Sequence, residues 1–424
     1  MYPNPQDALP LPLRPDLGQY RKRAKELAAA CRAAPEAIDA WAARWITALE
    51  RLQAVGTRRL DDRDATRRAG QLATFARDRM TQADCALSEA QFVMARAHGF
   101  ESWPRLVRHL EELVRSGSGI STFEEAADAI VTGDLTALER LLRADPALVH
   151  ARSTREHRAT LLHYVSANGV EHHRQRTPAN IVEVARCLLD AGAEVDAEAD
   201  VYGGGSTTVG LVVTSAHPRL AGVQIALADL LLERGARLDH DIVRSCLANG
   251  CPEAAAHLAE RGAAVTLEDA AGIGRVDLLA QRLDASGAAG TDALGRAMIM
   301  AAWYGRGEVV TLLLDNGVDP GIRGPDGQTA LHVTAYQGDA ATVELLLRRG
   351  APVNVSDAVY GTPPLVWALH GWLVDNRRPA EDYRPLLLAL AAAGAAARPD
   401  WLDDDRIRAD AELHAALAAR VGKG

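Results

Sequence analysis

Two short stretches hold the side chains best suited to move protons or hold anions. VEHHRQRTP (170–178) carries His172, His173, Arg174 and Arg176, and HPRLAG (217–222) carries His217 and Arg219. An imidazole titrates near neutral pH and serves as a general acid or base when it lies within hydrogen-bond reach of the reacting group. Arg174 and Arg219 supply guanidinium forks for a carboxylate or phosphate. The plainer reading is loop polarity, since His172 and His173 are adjacent and cannot share a helix face. Metal binding ranks last, because Glu171 is the carboxylate adjacent to these imidazoles and others nearby are few. Asp239-His240-Asp241 has metal-like spacing but falls where a turn is expected.

A third stretch is ADVYGGGSTTVG (199–210). Its glycines, Gly204 at their centre, let the backbone approach a ligand closely, and Tyr202 stands beside them. Ser206, Thr207 and Thr208 offer hydroxyls at a helix start, where unpaired N–H groups favour an anion. The stretch lacks the lysine of a phosphate loop, and an enlarged turn accounts for it equally well. Aromatic residues are absent from 203–302 and then return, Trp303, Tyr304, Tyr336, Trp367 and Trp372 among them.

The elements that position these residues come from a repeat. An eight-residue frame, apolar-x-x-small-small-x-x-Gly, starts at Ala126, Leu162, Val209, Val243, Leu267, Met298, Leu331 and Leu365. The starts are separated by 36, 47, 34, 24, 31, 33 and 34 residues, a spacing centred near 33. Leucine-rich helices follow most frames and stop at Gly192, Gly235, Gly262, Gly317, Gly350 and Gly394, where a left-handed residue is expected. Hydrophobic residues make up 48% of the 424 and aromatics only 4%, so Ala and Leu supply the core. That favours close-packed helices over a β-sandwich.

The unit DGQTALHVTAYQGDAATVELLLRRGAPVN (326–354) resembles the ankyrin repeat along its whole length. The resemblance implies an all-α fold: an ankyrin-repeat solenoid of about eight helix-turn-helix units with short β-turn fingers, preceded by an N-terminal helical bundle. Expected domains are 1–118 (helical), 122–398 (repeats) and 399–424 (a capping helix). Within 1–118, helices are expected at about 16–33, 35–55, 58–79, 86–97 and 102–116, with breaks at Pro35, Gly56 and Gly99. Residues 86–113 resemble a helical module that precedes bacterial ankyrin arrays, in which Ser88 would cap a helix and Phe100 and Trp103 would plug the next junction. In ankyrin folds the sixth and seventh frame positions face the concave surface, which places Trp303, Tyr304 and Tyr336 there, with Trp367 close by. His163 and His332 fall in the frame, where histidine orders loop backbone.

The insertions interrupt the repeats between their two helices, and equivalent loops should lie on one edge, bringing the histidines and arginines together. The expected function is therefore binding: a groove presented to a protein or small-molecule partner. The alternative is a small-molecule site or unrecognised enzyme in repeats two to four, with His172, His173 or His217 as acid or base. The net charge of −9 argues against nucleic acid as a partner. The longest apolar run, Leu386–Ala397, is too short for a membrane span. No cofactor is indicated. Five cysteines without CxxC spacing suggest reduced thiols and a cytoplasmic location.

Overall fold

The computed structural model describes residues 4–12, 15–52, 62–80, 85–286 and 290–422. The chain divides into two compact units, Met1–Asp239 and His240–Gly424. This division joins the N-terminal helices to the first three repeats and places the other five in the second unit.

The first unit opens with helices Leu17–Ala33, Pro35–Leu52, Asp62–Arg79, Leu87–Ala97 and Trp103–Leu113. The break expected at Gly56 lies outside the described residues. Their apolar faces close on Tyr20, Trp41, Trp45 and Phe100, each buried. Ser88 sits inside its helix, whose cap position is Ala86, so the expected Ser88 cap is not formed. Packing of Leu17–Ala33 on Leu87–Ala97 brings the Cα atoms of Cys31 and Cys85 within 5.7 Å, and their sulfurs are bonded. This corrects the expectation of five reduced thiols; Cys187, Cys246 and Cys251 are free. A sequence separation of 54 hid the pairing.

Three helix pairs follow in the first unit: Gly119–Thr132 with Leu135–Ala144, Leu161–Ser166 with Ile181–Asp190, and Thr208–Val213 with Gln224–Glu233. The second unit holds five more, from Ile242–Ala248 to Ala380–Ala392, closed by Asp405–Arg408 and Ala411–Ala418. Ile407, Leu413 and Leu417 bury against the last pair, as a cap requires. Small residues set the approach of neighbouring helices: a Cβ on Gly272 would meet Leu247 and Met300 at 2.7 Å. All six glycines expected at helix ends have positive φ, from 79° to 97°. The one two-stranded sheet among the described residues pairs Glu198–Ala199 with Ser206–Thr207, a finger.

Two histidines tie fingers to their neighbours. His332 Nδ1 accepts from the Thr329 N–H at 3.1 Å, so Nε2 carries the proton and donates to the Thr362 carbonyl of the next finger at 3.1 Å. His163 repeats this with Thr160 (3.1 Å) and the Ser206 carbonyl (3.2 Å). Each fixes its own turn and the following one. His332→Ala would strand the buried Thr329 N–H and leave the half-buried Thr362 carbonyl without its donor, and a loss of about 1–3 kcal/mol is expected in urea unfolding.

Candidate functional site

In the second unit the first helices of three successive repeats line up their side chains. Trp303 and Tyr336 occupy the sixth frame position, and the helix Pro364–Leu369 supplies Trp367. Tyr336 contacts both indoles edge-on, with ring centroids 5.8 Å from Trp303 and 6.0 Å from Trp367. His370 takes the sixth position of the last repeat and lies 6.3 Å from Tyr336. These rings line a groove of about 770 Å³ together with Asp326, Gln328 and Tyr360. Half-buried aromatics along one groove are atypical of a repeat's polar face and match the composition of binding surfaces.

The far wall of the groove is the finger around Asp357. Its carboxylate accepts from the backbone N–H groups of Val359 (2.8 Å), Tyr360 (2.6 Å) and Thr362 (3.0 Å). It also accepts from the Thr362 hydroxyl (2.9 Å) and the Trp367 indole N–H (3.2 Å). Burial alone would raise this carboxyl, but those donors hold it well below the usual carboxylate range. The finger tip leaves Val359 and Tyr360 exposed, at 59% and 74%. A π turn over His370–Val374 follows the helix and buries Trp372 against Tyr383, ring centroids 6.5 Å apart.

Tyr304 does not join this row. Its hydroxyl donates to the Leu247 carbonyl, and its ring lines a separate hollow with Gln337, Asp339 and Arg378. The seventh frame position therefore points away from the sixth. Asp357, Tyr360 and His370 were missed from the sequence. His370 was legible as the sixth residue of its frame, but the finger residues carry no motif.

In the first unit the inserted turn His172–Arg174 is internal structure. Arg174 is 4% exposed, and its Nη1 donates to Glu124 at 2.7 Å. Its Nε reaches Asp128 at 2.8 Å. Arg155, 1% exposed, bridges Glu124 at 2.7 Å and Glu171 at 2.8 Å. Glu171, fully buried, also lies 3.5 Å from His157 Nε2. Burial would raise both glutamates, yet Arg155 and Arg174 hold them well below their ordinary value. Arg174 is thus committed to internal charge balance, and Glu171 to the same.

His173 lies against this network; burial and Arg174 push it down to about 3, so it is neutral at pH 7. His172 shares the turn, which packs on Gly119–Thr132. His217 and Arg219 belong to the short helix Ala216–Leu220, which packs on Gln224–Glu233. Ser206 donates to the Val201 carbonyl at 3.0 Å, and Thr207 accepts from the Gly210 N–H at 3.3 Å. Thr208 is fully buried. The Ser206 and Thr207 hydroxyls, expected to face an anion, are turned to the finger and its own helix, and the Thr208 hydroxyl makes no hydrogen bond. Tyr202 and Gly204 line a cleft of about 510 Å³ with Asn4, Arg96, Glu156 and His157. His172, His173 and His217 do not line it.

Residues 298–376 match the family model of ankyrin repeats, in three copies. The matched residues are ankyrin repeats, and they contain Trp303, Tyr336 and Trp367. Protein PhlB of Serratia liquefaciens is 48% identical over 60 residues, 14% of this chain and 26% of that protein. Serine/threonine-protein kinase 12 of Arabidopsis thaliana is 46% identical over 56 residues, 13% of this chain and 12% of that one. The chain therefore spans about a quarter and an eighth of these relatives. The crystal structure of the human ASB11 ankyrin repeat domain is similar at 23% identity, covering 62% of this chain and 96% of that chain, with a TM-score of 0.30. No helix among the described residues is long and apolar enough to cross a membrane.

The buried charges generate two predictions. Arg155→Met takes from Glu171 its short ion pair and from Glu124 one of its two arginines, and should cost about 3–5 kcal/mol in urea unfolding. Adding Glu171→Gln should restore part of that loss, whereas additive effects would count against coupling. The second concerns pH. Burial lowers His98 and His173 to about 3, and His109 and His163 to about 4. Unfolded histidine titrates near 6.5, so below that pH these four histidines bind about four more protons in the unfolded chain than in the folded one. The corresponding stability is present above pH 6.5 and falls as pH drops towards 4. Urea midpoints at pH 7 and pH 5 should show this, and His173→Asn should reduce the slope by about one proton.

Proposed function

We propose that the chain is a binding protein that grips a protein partner in the groove of its second unit. Ankyrin repeats are generally protein-interaction modules, which supports a binding role. The observation that carries the choice of groove is the row Trp303, Tyr336 and Trp367, facing the exposed finger tip at Val359 and Tyr360. Aromatic side chains in such a row bury large area at small cost in side-chain freedom, the composition of interface anchors. In the first unit, by contrast, Arg174 is paired internally and His173 is held neutral, which weighs against acid–base chemistry there. The cleft at Tyr202 and Gly204 is one place in that unit for a small molecule. Cys187, Cys246 and Cys251 fit a cytoplasmic setting, and the Cys31–Cys85 bond weighs against it.

Selection from a displayed random-peptide library against the full chain tests the groove. Wild-type protein should enrich related sequences. A Trp303→Ala/Tyr336→Ala/Trp367→Ala variant with wild-type circular dichroism should lose the binding of those sequences by at least about a hundredfold. Unchanged binding to the variant would overturn the groove as the docking surface.

A further inference from the structure

The charge of the groove indicates what enters it. Its titratable lining side chains other than the tyrosines are Asp326, Asp357 and His370, and no lysine or arginine is among the described residues that line it. The five donors to Asp357 are backbone amides, a hydroxyl and an indole, all neutral, so they solvate the charge without cancelling it. Asp326 is exposed on the neighbouring finger. Gln328, only 6% exposed, lines the same groove, and its Oε1 has no hydrogen-bond partner. Acceptors without matching cations thus sit among three aromatic rings. The second unit as a whole carries 24 acidic against 17 basic residues, so its longer-range field has the same sign.

Aromatic faces attract cations through their quadrupole, and the effect grows when the cation leaves water. Tyr336 already shows this: the Arg377 guanidinium lies 4.7 Å from its ring centroid, tied by its Nη2 to Gln337 at 2.7 Å. An alkyl stem would pack along the indoles while the charged head met the carboxylates. A neutral or acidic segment would leave Asp326 near apolar surface without compensation, and the net charge of Asp357 unbalanced.

Building on the proposed groove, we infer that its occupant is a basic segment of a partner protein, which inserts an arginine or lysine side chain between the aromatic row and the Asp326 and Asp357 carboxylates. The partner's neighbouring residues are apolar and rest on Val359 and Tyr360.

The test uses the full chain with 15N-labelled indoles, the Trp303 and Trp367 signals being assigned from Trp303→Phe and Trp367→Phe. The probes are acetyl-Leu-Arg-Leu-amide, its lysine analogue, its citrulline analogue, which keeps the shape and loses the charge, and acetyl-Leu-Glu-Leu-amide. The arginine or lysine peptide should shift both indole signals and bind about tenfold more tightly than the citrulline peptide. Asp326→Asn should narrow that gap about threefold, and added salt should do the same. Equal binding of the charged and citrulline peptides would overturn the cation inference and leave the groove itself standing. Preference for the glutamate peptide would overturn it as well. If no peptide moves either indole, the cation inference also falls, and the library selection then judges the groove separately.

Discussion

A buried charge must be neutralised where it stands, because the protein interior cannot screen it. In the first unit this applies to two arginines and two glutamates at once. Glu124 comes from the first repeat helix, Arg155 from the following finger, and Glu171 and Arg174 from the insertion in the second repeat. None of the four can move without stranding another. The insertion must therefore turn back onto Gly119–Thr132, and the finger must hold Arg155 between the glutamates. The N-terminal helices take their place from the same point: the Glu156 N–H donates to the Gly99 carbonyl at 2.8 Å, and Arg155 stands 5.5 Å from the Phe100 ring.

The repeat frame was legible because stacking needs small residues and helix-ending glycines at fixed intervals, and sequence displays both. All six glycines occupy the expected conformation. The aromatic row was legible for the complementary reason, since bulk is rare where helices must approach closely. Tyr304 shows the limit: one residue further along a helix turns a side chain by about 100°, into another hollow.

The first-unit site was read less well, for physical reasons. His172, His173 and Arg174 stand in a non-periodic segment, and such segments usually lie at the surface. The partners that bury Arg174 are 46 and 50 residues away, at Asp128 and Glu124. No local pattern announces a pairing of that range. Ser206 and Thr207 look like ligand donors because hydroxyls at a helix start suit anions, but the same hydroxyls suit the turn itself. The Cys31–Cys85 bond was hidden in the same way, since it depends on which helices become neighbours.

The two units thus spend their polar residues differently. The first turns them inward, and the second leaves carboxylates and rings facing a groove. The Asp357 finger gives that groove a kinetic character. Five hydrogen bonds have already removed the freedom of residues 357–362 before anything docks. Docking in the proposed groove would then forfeit little further loop entropy. Such preordering acts chiefly on how long a complex lasts and much less on how fast it forms.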